Sequence, residues 1–284
     1  MARIALAGGA GHTLLAECPD ALLAFFSTPE ACALRLVCRE FQAAVAARPW
    51  EDMGTVIRGD IGAWRACFPR ARCANVRRYD LGGGEVRRAP VVDADFVHFE
   101  GLWELDMTFC GAVTDAAFVH LRGIRVLNMH WCSQDTITDA AFAHLVGIQK
   151  LCIWDCTQDT LTDAAFIHLR GIQVLNMSGC MQLTDAAFAH LKGIHTLFMW
   201  GCMQPSITDA AFAHLRGIHS LVMEFCNQAT ITEAGLAHLV GITKLGMHNC
   251  NEELIKAAER LGLRYTKRQD KCYGAFHSFF DEDD

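Results

Sequence analysis

Cysteine and histidine are the residues of this chain with the greatest capacity for chemistry, because thiolates and imidazoles bind metals and act as nucleophiles or bases. The 284 residues include 14 cysteines and 13 histidines. Half of the cysteines recur at a regular spacing, namely Cys110, Cys132, Cys156, Cys180, Cys202, Cys226 and Cys250. One thiol per repeat lacks the C-x-x-C pair of a zinc site, and even spacing is not typical of a secreted disulfide framework. We therefore predict reduced thiols, no metal site, and S–H groups that donate to backbone carbonyls at the turn after each strand.

Histidines form a second regular row, one to each predicted helix. Its members are His98, His120, His144, His168, His190, His214 and His238. None has a carboxylate or a second ligand four residues further on, so the pattern favours a polar ladder on the outer face over a zinc site. Protonation of stacked imidazoles predicts that the protein loses stability as the pH falls.

No residue pattern indicates catalysis. Gly8, Gly9 and Gly11 form a glycine-rich start, but no Lys-Ser or Lys-Thr pair of a phosphate-binding loop follows, and no nucleophile elbow is present. We predict that the chain is not an enzyme and has no cofactor. A net charge of -7 disfavours nucleic acid as a partner, and the sequence contains no apolar run of the ~20 residues that span a membrane. We expect a cytoplasmic or nuclear protein, monomeric outside any complex.

The chemistry-bearing rows belong to a repeat. Seven copies of a strand-like phrase, L-x-x-L-x-L-x-x-C with Ile or Met as alternatives, follow one another at steps of 22 or 24 residues. Between copies stands a second phrase such as ITDAAFAHL, in which Thr138 is a good N-cap, Asp139 lies at the positive end of the helix dipole and Gly147 ends the helix. Each unit is therefore a strand, a turn and a short helix, and the units must stack to bury their apolar faces.

Side chains alternate across a strand, so the residues that flank the central leucine of each phrase point away from the helices. Several of these residues are aromatic, and aromatic residues are enriched among binding hot spots. The predicted partner-binding residues are His130, Trp131, Trp154, Phe198, Trp200, Glu224 and Phe225. The alternative is that the rings pack on one another across neighbouring strands and stiffen the sheet.

The repeated phrases resemble the cysteine-containing leucine-rich repeats, over residues 76–265. The resemblance implies an α/β fold, a leucine-rich-repeat solenoid with a curved parallel sheet on its concave face and short helices on its convex face. Val76, Tyr79 and Leu81 are interpreted as a weak first strand, followed by a helix at Asp95–Phe99. At the other end we predict a last helix at 252–261 and a closing strand at 263–265.

The N-terminal segment carries no repeat and is predicted to form helices at 19–26, 29–38 and 39–47. Its Pro-acidic pair, Leu-Leu pair, L-x-x-V-C-x-x-F phrase and final Trp resemble an F-box, although the spacing between Phe26 and Pro29 is shorter than usual. The resemblance implies that a set of its residues contacts an adaptor, namely Pro19, Leu22, Leu23, Leu34, Val37, Phe41 and Trp50. The alternative is a helical cap on the solenoid.

An F-box followed by cysteine-type repeats resembles the substrate-recognition subunits of SCF-type ubiquitin ligases. The resemblance implies a Skp-family adaptor and a cullin scaffold as partners, and a target protein on the concave face. The rival function is a stand-alone scaffold or inhibitor. The predicted organisation is a flexible N-terminus (1–13), an F-box-like segment (14–52), a linker with an irregular first repeat (53–92), the solenoid with its cap (93–265) and an aromatic and acidic tail (266–284).

Overall fold

A computed structural model describes residue 23, residues 26–78 and residues 89–266. Its centre is one parallel sheet of eight strands that follow one another in sequence order. The strands are β1 Cys73–Asn75, β2 Glu104–Asp106, β3 Val126–Asn128, β4 Lys150–Cys152, β5 Val174–Asn176, β6 Thr196–Phe198, β7 Ser220–Val222 and β8 Lys244–Gly246. This arrangement confirms the predicted solenoid architecture.

The predicted period sets the register of the sheet. Leu105 of β2 pairs with Leu127 of β3, which pairs with Leu151 of β4, and the central leucines continue in this way to Leu245 of β8. All of these leucines are buried on the side of the sheet that carries the helices. Because side chains alternate along a strand, the flanking residues lie on the opposite side, which we call the open face.

The helices of the repeats are short, and several adopt the tighter 3-10 form. They comprise the 3-10 helices Asp93–Phe99, Val119–Leu121, Asp163–Leu169, Ala213–Leu215 and Ala237–Leu239, and the α-helices α4 Asp115–Phe118, α5 Asp139–Phe142, α6 Asp185–Phe188, α7 Asp209–Phe212 and α8 Glu233–Leu236. The Thr138 hydroxyl accepts a hydrogen bond from Ala140 N at 3.1 Å, which confirms it as an N-cap. Gly147, with φ +88°, reverses the chain after the helix as predicted.

One continuous apolar core joins the repeats. Each repeat contributes a fully buried aromatic or aliphatic side chain from its helix, namely Phe96, Phe118, Phe142, Phe166, Phe188, Phe212 and Leu236. These side chains belong to the same cluster as the strand leucines and as Leu23, Val45 and Trp50 of the N-terminal segment. Burial of each contributes roughly 1.5–3 kcal/mol before conformational entropy is subtracted. The N-terminal helices and the repeats are therefore packed together.

The N-terminal segment contains α1 Thr28–Leu34, α2 Arg39–Ala47 and α3 Ile61–Cys67. The prediction of α2 is confirmed, whereas α1 ends four residues before the predicted residue 38. The reason is that Cys38 is the extended N-cap of α2, with φ -159°, so the chain must leave the helical conformation before it. Of the helix predicted at 19–26, only Leu23 and Phe26 are described, and Leu23 is helical and buried.

The first strand was predicted in the wrong place. It lies at Cys73–Asn75, before Val76, and Tyr79 and Leu81 fall outside the described residues. Ala74 pairs with Leu105 and so occupies the position that leucine holds in the later repeats. Because an alanine stands there, the phrase does not show the leucine pattern in sequence.

The C-terminal helix α9 spans Glu252–Arg260, close to the predicted range, and Gly262 follows it with φ +68°. In place of the predicted strand at 263–265, a single parallel bridge joins Thr266 to Gly246 of β8. Within the described residues, no helix is both long enough and apolar enough to cross a membrane.

Candidate protein-interaction surface

Short polar side chains fix the backbone at the strand ends of the open face. Asp106 Oδ1 accepts hydrogen bonds from Thr108 N at 3.0 Å and from Thr108 Oγ1 at 2.7 Å. Asn128 Oδ1 likewise accepts from His130 N, and Asn176 Oδ1 accepts from Ser178 N. These bonds hold the turn that follows each strand and so determine where the next side chain points.

The residue before each repeat cysteine adopts a left-handed conformation. Two repeats place glycine there, Gly179 and Gly201, which accept positive φ without strain. The other five place Phe109, Trp131, Asp155, Phe225 and Asn249, with φ between 51° and 62°. A side chain in this region costs roughly 1–2 kcal/mol. Asn and Asp adopt this conformation readily, so the penalty falls on the three aromatic residues, and such outliers cluster at functional sites.

Aromatic rings from several repeats meet on this face. We call the set Phe109, His130, Trp131, Trp154, Trp200, Phe225 and His248 the open-face cluster. His130 stacks on Trp154 with ring centroids 4.2 Å apart and on Trp131 at 4.6 Å. Trp200 joins Trp154 at 6.4 Å to Phe225 at 5.2 Å. The rings therefore form one connected surface that runs from β2 to β8.

Burial shifts the pKa values of two titratable groups, one in the open-face cluster and one bonded to it. Burial lowers the pKa of His130 to about 4, so its imidazole is neutral at physiological pH. The Asp155 carboxylate accepts a hydrogen bond from Trp131 Nε1 at 2.9 Å, and burial raises its pKa above the usual range. The cluster thus combines apolar rings with an acidic group set among them.

The predicted partner-binding residues lie on this face at different depths. Trp131 is 40% exposed, and Trp154, Phe198, Trp200 and Phe225 are half-buried. The two polar members are buried, because His130 is 8% exposed between two tryptophan rings and Glu224 is 2% exposed. His130 and Glu224 are therefore not accessible to a partner on the open face. The rings also pack on one another, as the alternative interpretation expected, and this stacking still leaves Trp131 accessible.

The cysteine row is a structural ladder, as predicted. Each thiol donates to the carbonyl that follows the strand of the preceding repeat, for example Cys156 Sγ to Met129 O at 3.1 Å and Cys180 Sγ to Ile153 O at 3.0 Å. Burial raises the pKa of the Cys110 and Cys202 thiols to about 12, so they stay protonated. Across the described residues, no group of three His, Cys, Asp or Glu side chains is arranged to hold a metal ion.

Three members of the histidine row form side-chain contacts with a neighbouring repeat. His120 Nδ1 lies 2.7 Å from Glu100 Oε1, and arginine side chains donate to His144 and His238. The partners of these three histidines are thus charged residues of the adjacent helix turn. Zinc ligation does not account for the row.

Two further ladders were not foreseen. The aspartate of each helix start accepts hydrogen bonds from both the backbone N–H and the hydroxyl of the next repeat's threonine, as when Asp139 binds Thr162 N at 2.7 Å and Oγ1 at 2.6 Å. The glutamine two residues after most repeat cysteines donates to a carbonyl of the preceding repeat, as Gln204 does to Cys180 O at 3.0 Å. The signal was available, since these residues recur with the period of the repeat.

The residues predicted to bind an adaptor separate into two groups. Leu23, Phe41 and Trp50 are buried in the chain's own core, and Trp50 Nε1 donates to Val45 O at 2.8 Å. Those three side chains hold the N-terminal helices together and offer no free surface. Leu34 is half-buried against the same core, whereas Val37 is 57% exposed and its neighbour Leu36 is 89% exposed. Pro19 and Leu22 lie outside the described residues.

Comparison with known proteins concerns the fold. No protein-family model matches the chain, and no curated protein sequence does. Among solved structures, one of the Drosophila Toll–Spatzle complex in its glycosylated form aligns with a TM-score of 0.53 and 14% identity, over 79% of this chain and 34% of that chain. A second structure of this complex aligns with a TM-score of 0.51 and 12% identity, over 84% and 36%. The chain spans about a third of the length of these neighbours. Together with the eight-stranded parallel sheet, this likeness identifies the fold as a leucine-rich-repeat solenoid.

Proposed function

We propose that the chain is a non-catalytic interaction protein that binds a target protein through the open-face cluster. The observation that carries this proposal is the left-handed position, where three repeats have an aromatic side chain, Phe109, Trp131 or Phe225, although two repeats show that glycine suffices. Trp131 is both strained and 40% exposed, and tryptophan is the residue most enriched at binding hot spots. An exposed aromatic that belongs to a connected ring surface is the expected anchor of a protein interface.

A matched pair of variants tests this proposal. Trp131→Ala removes the exposed cluster tryptophan, and Trp103→Ala removes a tryptophan that is 37% exposed but lies outside the cluster, between Arg72 and Arg125. We expect affinity capture from cell lysate to lose its partners with Trp131→Ala and to keep them with Trp103→Ala. Equal capture by the two variants would contradict a role for the cluster.

We further propose that the chain serves as the substrate-recognition subunit of an SCF-type ubiquitin ligase, with its N-terminal helices on a Skp-family adaptor that joins a cullin. Leu36 and Val37 support this proposal, because two adjacent apolar side chains at 89% and 57% exposure form an uncovered apolar spot at the end of α1. The F-box resemblance places Val37 in the adaptor-binding set.

Co-purification with a Skp-type adaptor tests the ligase role. Leu36→Asp combined with Val37→Asp changes only exposed side chains, so the fold should survive and adaptor binding should be lost. Val146→Asp, at a 65% exposed position in the repeats, is the control and should retain binding. No co-purification with the wild-type chain, or retained binding in the double variant, would refute the adaptor contact.

A specific observation favours the rival function. Three of the F-box positions, Leu23, Phe41 and Trp50, are buried within this chain, and Leu23 and Trp50 share one core with the repeats. Such packing is what a helical cap on a solenoid requires. In that case the protein is a stand-alone scaffold or inhibitor, and it would bind its target through the open face without any adaptor.

A further inference from the structure

A cavity of about 730 Å³ lies between the N-terminal helices and the start of the sheet. It is bounded by α1, by α3 and by the loop 54–60, which leads into α3. Pockets that bind small molecules usually measure roughly 300–1,000 Å³, so this cavity has the size of a ligand site. None of the residues that we assign to target or adaptor binding lines it.

Hydrogen bonds hold the walls of the cavity in place. Asp52 accepts from Thr28 N and from Thr28 Oγ1, both at 2.9 Å, and also from Thr55 N at 3.1 Å. Asn75 of β1 accepts from Ile57 N at 2.7 Å and donates from Nδ2 to Met53 O at 2.8 Å. The loop is therefore fixed to α1 at one end and to the sheet edge at the other. The cavity does not depend on a ligand to form.

The floor of the cavity is apolar. Phe68 is fully buried, Ile57 is 9% exposed, and Trp64 is half-buried beside them. Trp64 and Phe68 are in ring contact, with centroids 6.3 Å apart. This floor is suited to the hydrocarbon part of a ligand, because its burial there removes apolar surface from water.

The polar side of the cavity is positively charged. Arg77 lines it and is half-buried; its Nε is closed off and has no hydrogen-bond acceptor among the described residues, so a ligand would meet the end of the guanidinium. Arg77 forms no ion pair with any acidic residue of the described chain. Arg58 adds a second charge at the rim, and Asp60, the one acidic residue among the described lining, already accepts from Ala63 N at 2.7 Å. A guanidinium charge in a partly apolar cavity is unfavourable without a counter-ion, and a carboxylate is a partner that guanidinium groups bind well.

We propose that this cavity binds a small organic acid, with its carboxylate on Arg77 and its apolar body on Ile57 and Trp64. The shape of the site requires both parts of the ligand. A bare anion would leave the floor hydrated, and a neutral hydrocarbon would leave the charge of Arg77 without a counter-ion. This proposal is independent of the target-binding and adaptor-binding roles.

Isothermal titration of the full chain with octanoate, 1-octanol and inorganic phosphate tests the proposal. We expect octanoate to bind at least about tenfold more tightly than either of the other two, since hydrogen bonds to charged groups contribute that much. Phosphate binding as tightly as octanoate would overturn the proposal in favour of a simple anion site. Equal binding of octanoate and 1-octanol, or no binding of octanoate, would also overturn it.

Variants locate the site. Arg77→Gln should weaken octanoate at least about tenfold and leave 1-octanol unchanged, whereas Arg77→Lys should retain part of the octanoate affinity. Ala63→Trp, on the exposed side of α3, should fill the cavity and abolish octanoate binding without altering its charge. This variant provides a second test if Arg77→Gln does not fold. Arg216→Gln, an exposed arginine of the repeats, is the control, and octanoate affinity unchanged by both Arg77→Gln and Ala63→Trp would overturn the proposal.

Discussion

On the helical side of the sheet the repeats carry the same residues at the same places, whereas on the open face each repeat differs from its neighbours. The helical side repeats a threonine cap, an aspartate, a buried phenylalanine and a glycine turn. The open face presents an asparagine and a histidine in one repeat, a cysteine and a tryptophan in the next, and an asparagine and a serine in the one after.

The difference follows from what each side contacts. A residue on the helical side contacts a fixed position of the next repeat, as Asp139 binds Thr162 and Asp163 binds Thr184. Every copy must therefore match its neighbours. The open face has no such constraint, except where rings stack across strands. Stability is therefore expected to reside in the uniform side, and specificity in the varied side.

The largest expected effect is on the helical side. Phe166→Ala removes a fully buried ring from the middle of the solenoid and should lower the free energy of unfolding by about 3–5 kcal/mol. Its sequence neighbour Ile167 is 47% exposed, and Ile167→Ala should change stability by less than about 0.5 kcal/mol. Urea unfolding of both variants measures this contrast, and a loss below about 1 kcal/mol for Phe166→Ala would contradict the assignment of stability to this side.

The open face should contribute a pH-dependent part of the stability. The pKa of His130 is about 4 in the folded chain and about 6.5 in the unfolded chain, so the unfolded state takes up the proton first as the pH falls. The contribution of neutral His130 to the free energy of unfolding is complete above pH 6.5 and is lost as the pH falls towards 4. Between pH 7.5 and 5.0 this loss amounts to about 2 kcal/mol.

His130→Phe keeps a ring in the stack and removes the titration. The loss of unfolding free energy between pH 7.5 and 5.0 should then be smaller than in the wild type by about 2 kcal/mol. Measurement by urea unfolding at both pH values decides the question. The same pH dependence in both proteins would show that other groups cause it.

A smaller effect is expected where repeats join between strand and helix. Gln204 is buried, and its Nε2 donates to Cys180 O at 3.0 Å and to Leu183 O at 3.2 Å. Gln204→Leu leaves these carbonyls without that donor but also removes a buried Oε1 that has no partner among the described residues, so it should cost about 1–2 kcal/mol. Gln173 is exposed and binds only Gly171 O within its own turn, so Gln173→Leu is the matched control. Thermal unfolding that ranks the two equally would remove the glutamine ladder as a source of stability.

The sequence predicts the uniform side well and the varied side poorly, for a physical reason. The strand positions, the cap at Thr138 and the thiol donors follow from a period that every copy repeats. The first strand at Cys73–Asn75 escaped this reasoning because Ala74 stands where the pattern expects leucine. The burial of His130 also could not be inferred from alternation along one strand, since Trp131 and the ring of Trp154 from the next repeat cover it.

The smallest expected effect separates backbone strain from side-chain contact on the open face. Trp131→Ala and Trp131→Gly lose the same ring contacts, but only glycine accepts φ 56° without penalty, so the glycine variant should be more stable by about 1 kcal/mol. At Trp103, which has no positive φ, the order should reverse by about 0.5–1 kcal/mol because glycine loses more backbone entropy on folding. Urea unfolding of the four variants measures both differences. If the glycine variant is less stable than the alanine variant at both sites, Trp131 is unstrained. The tryptophan at that turn would then need no explanation from binding.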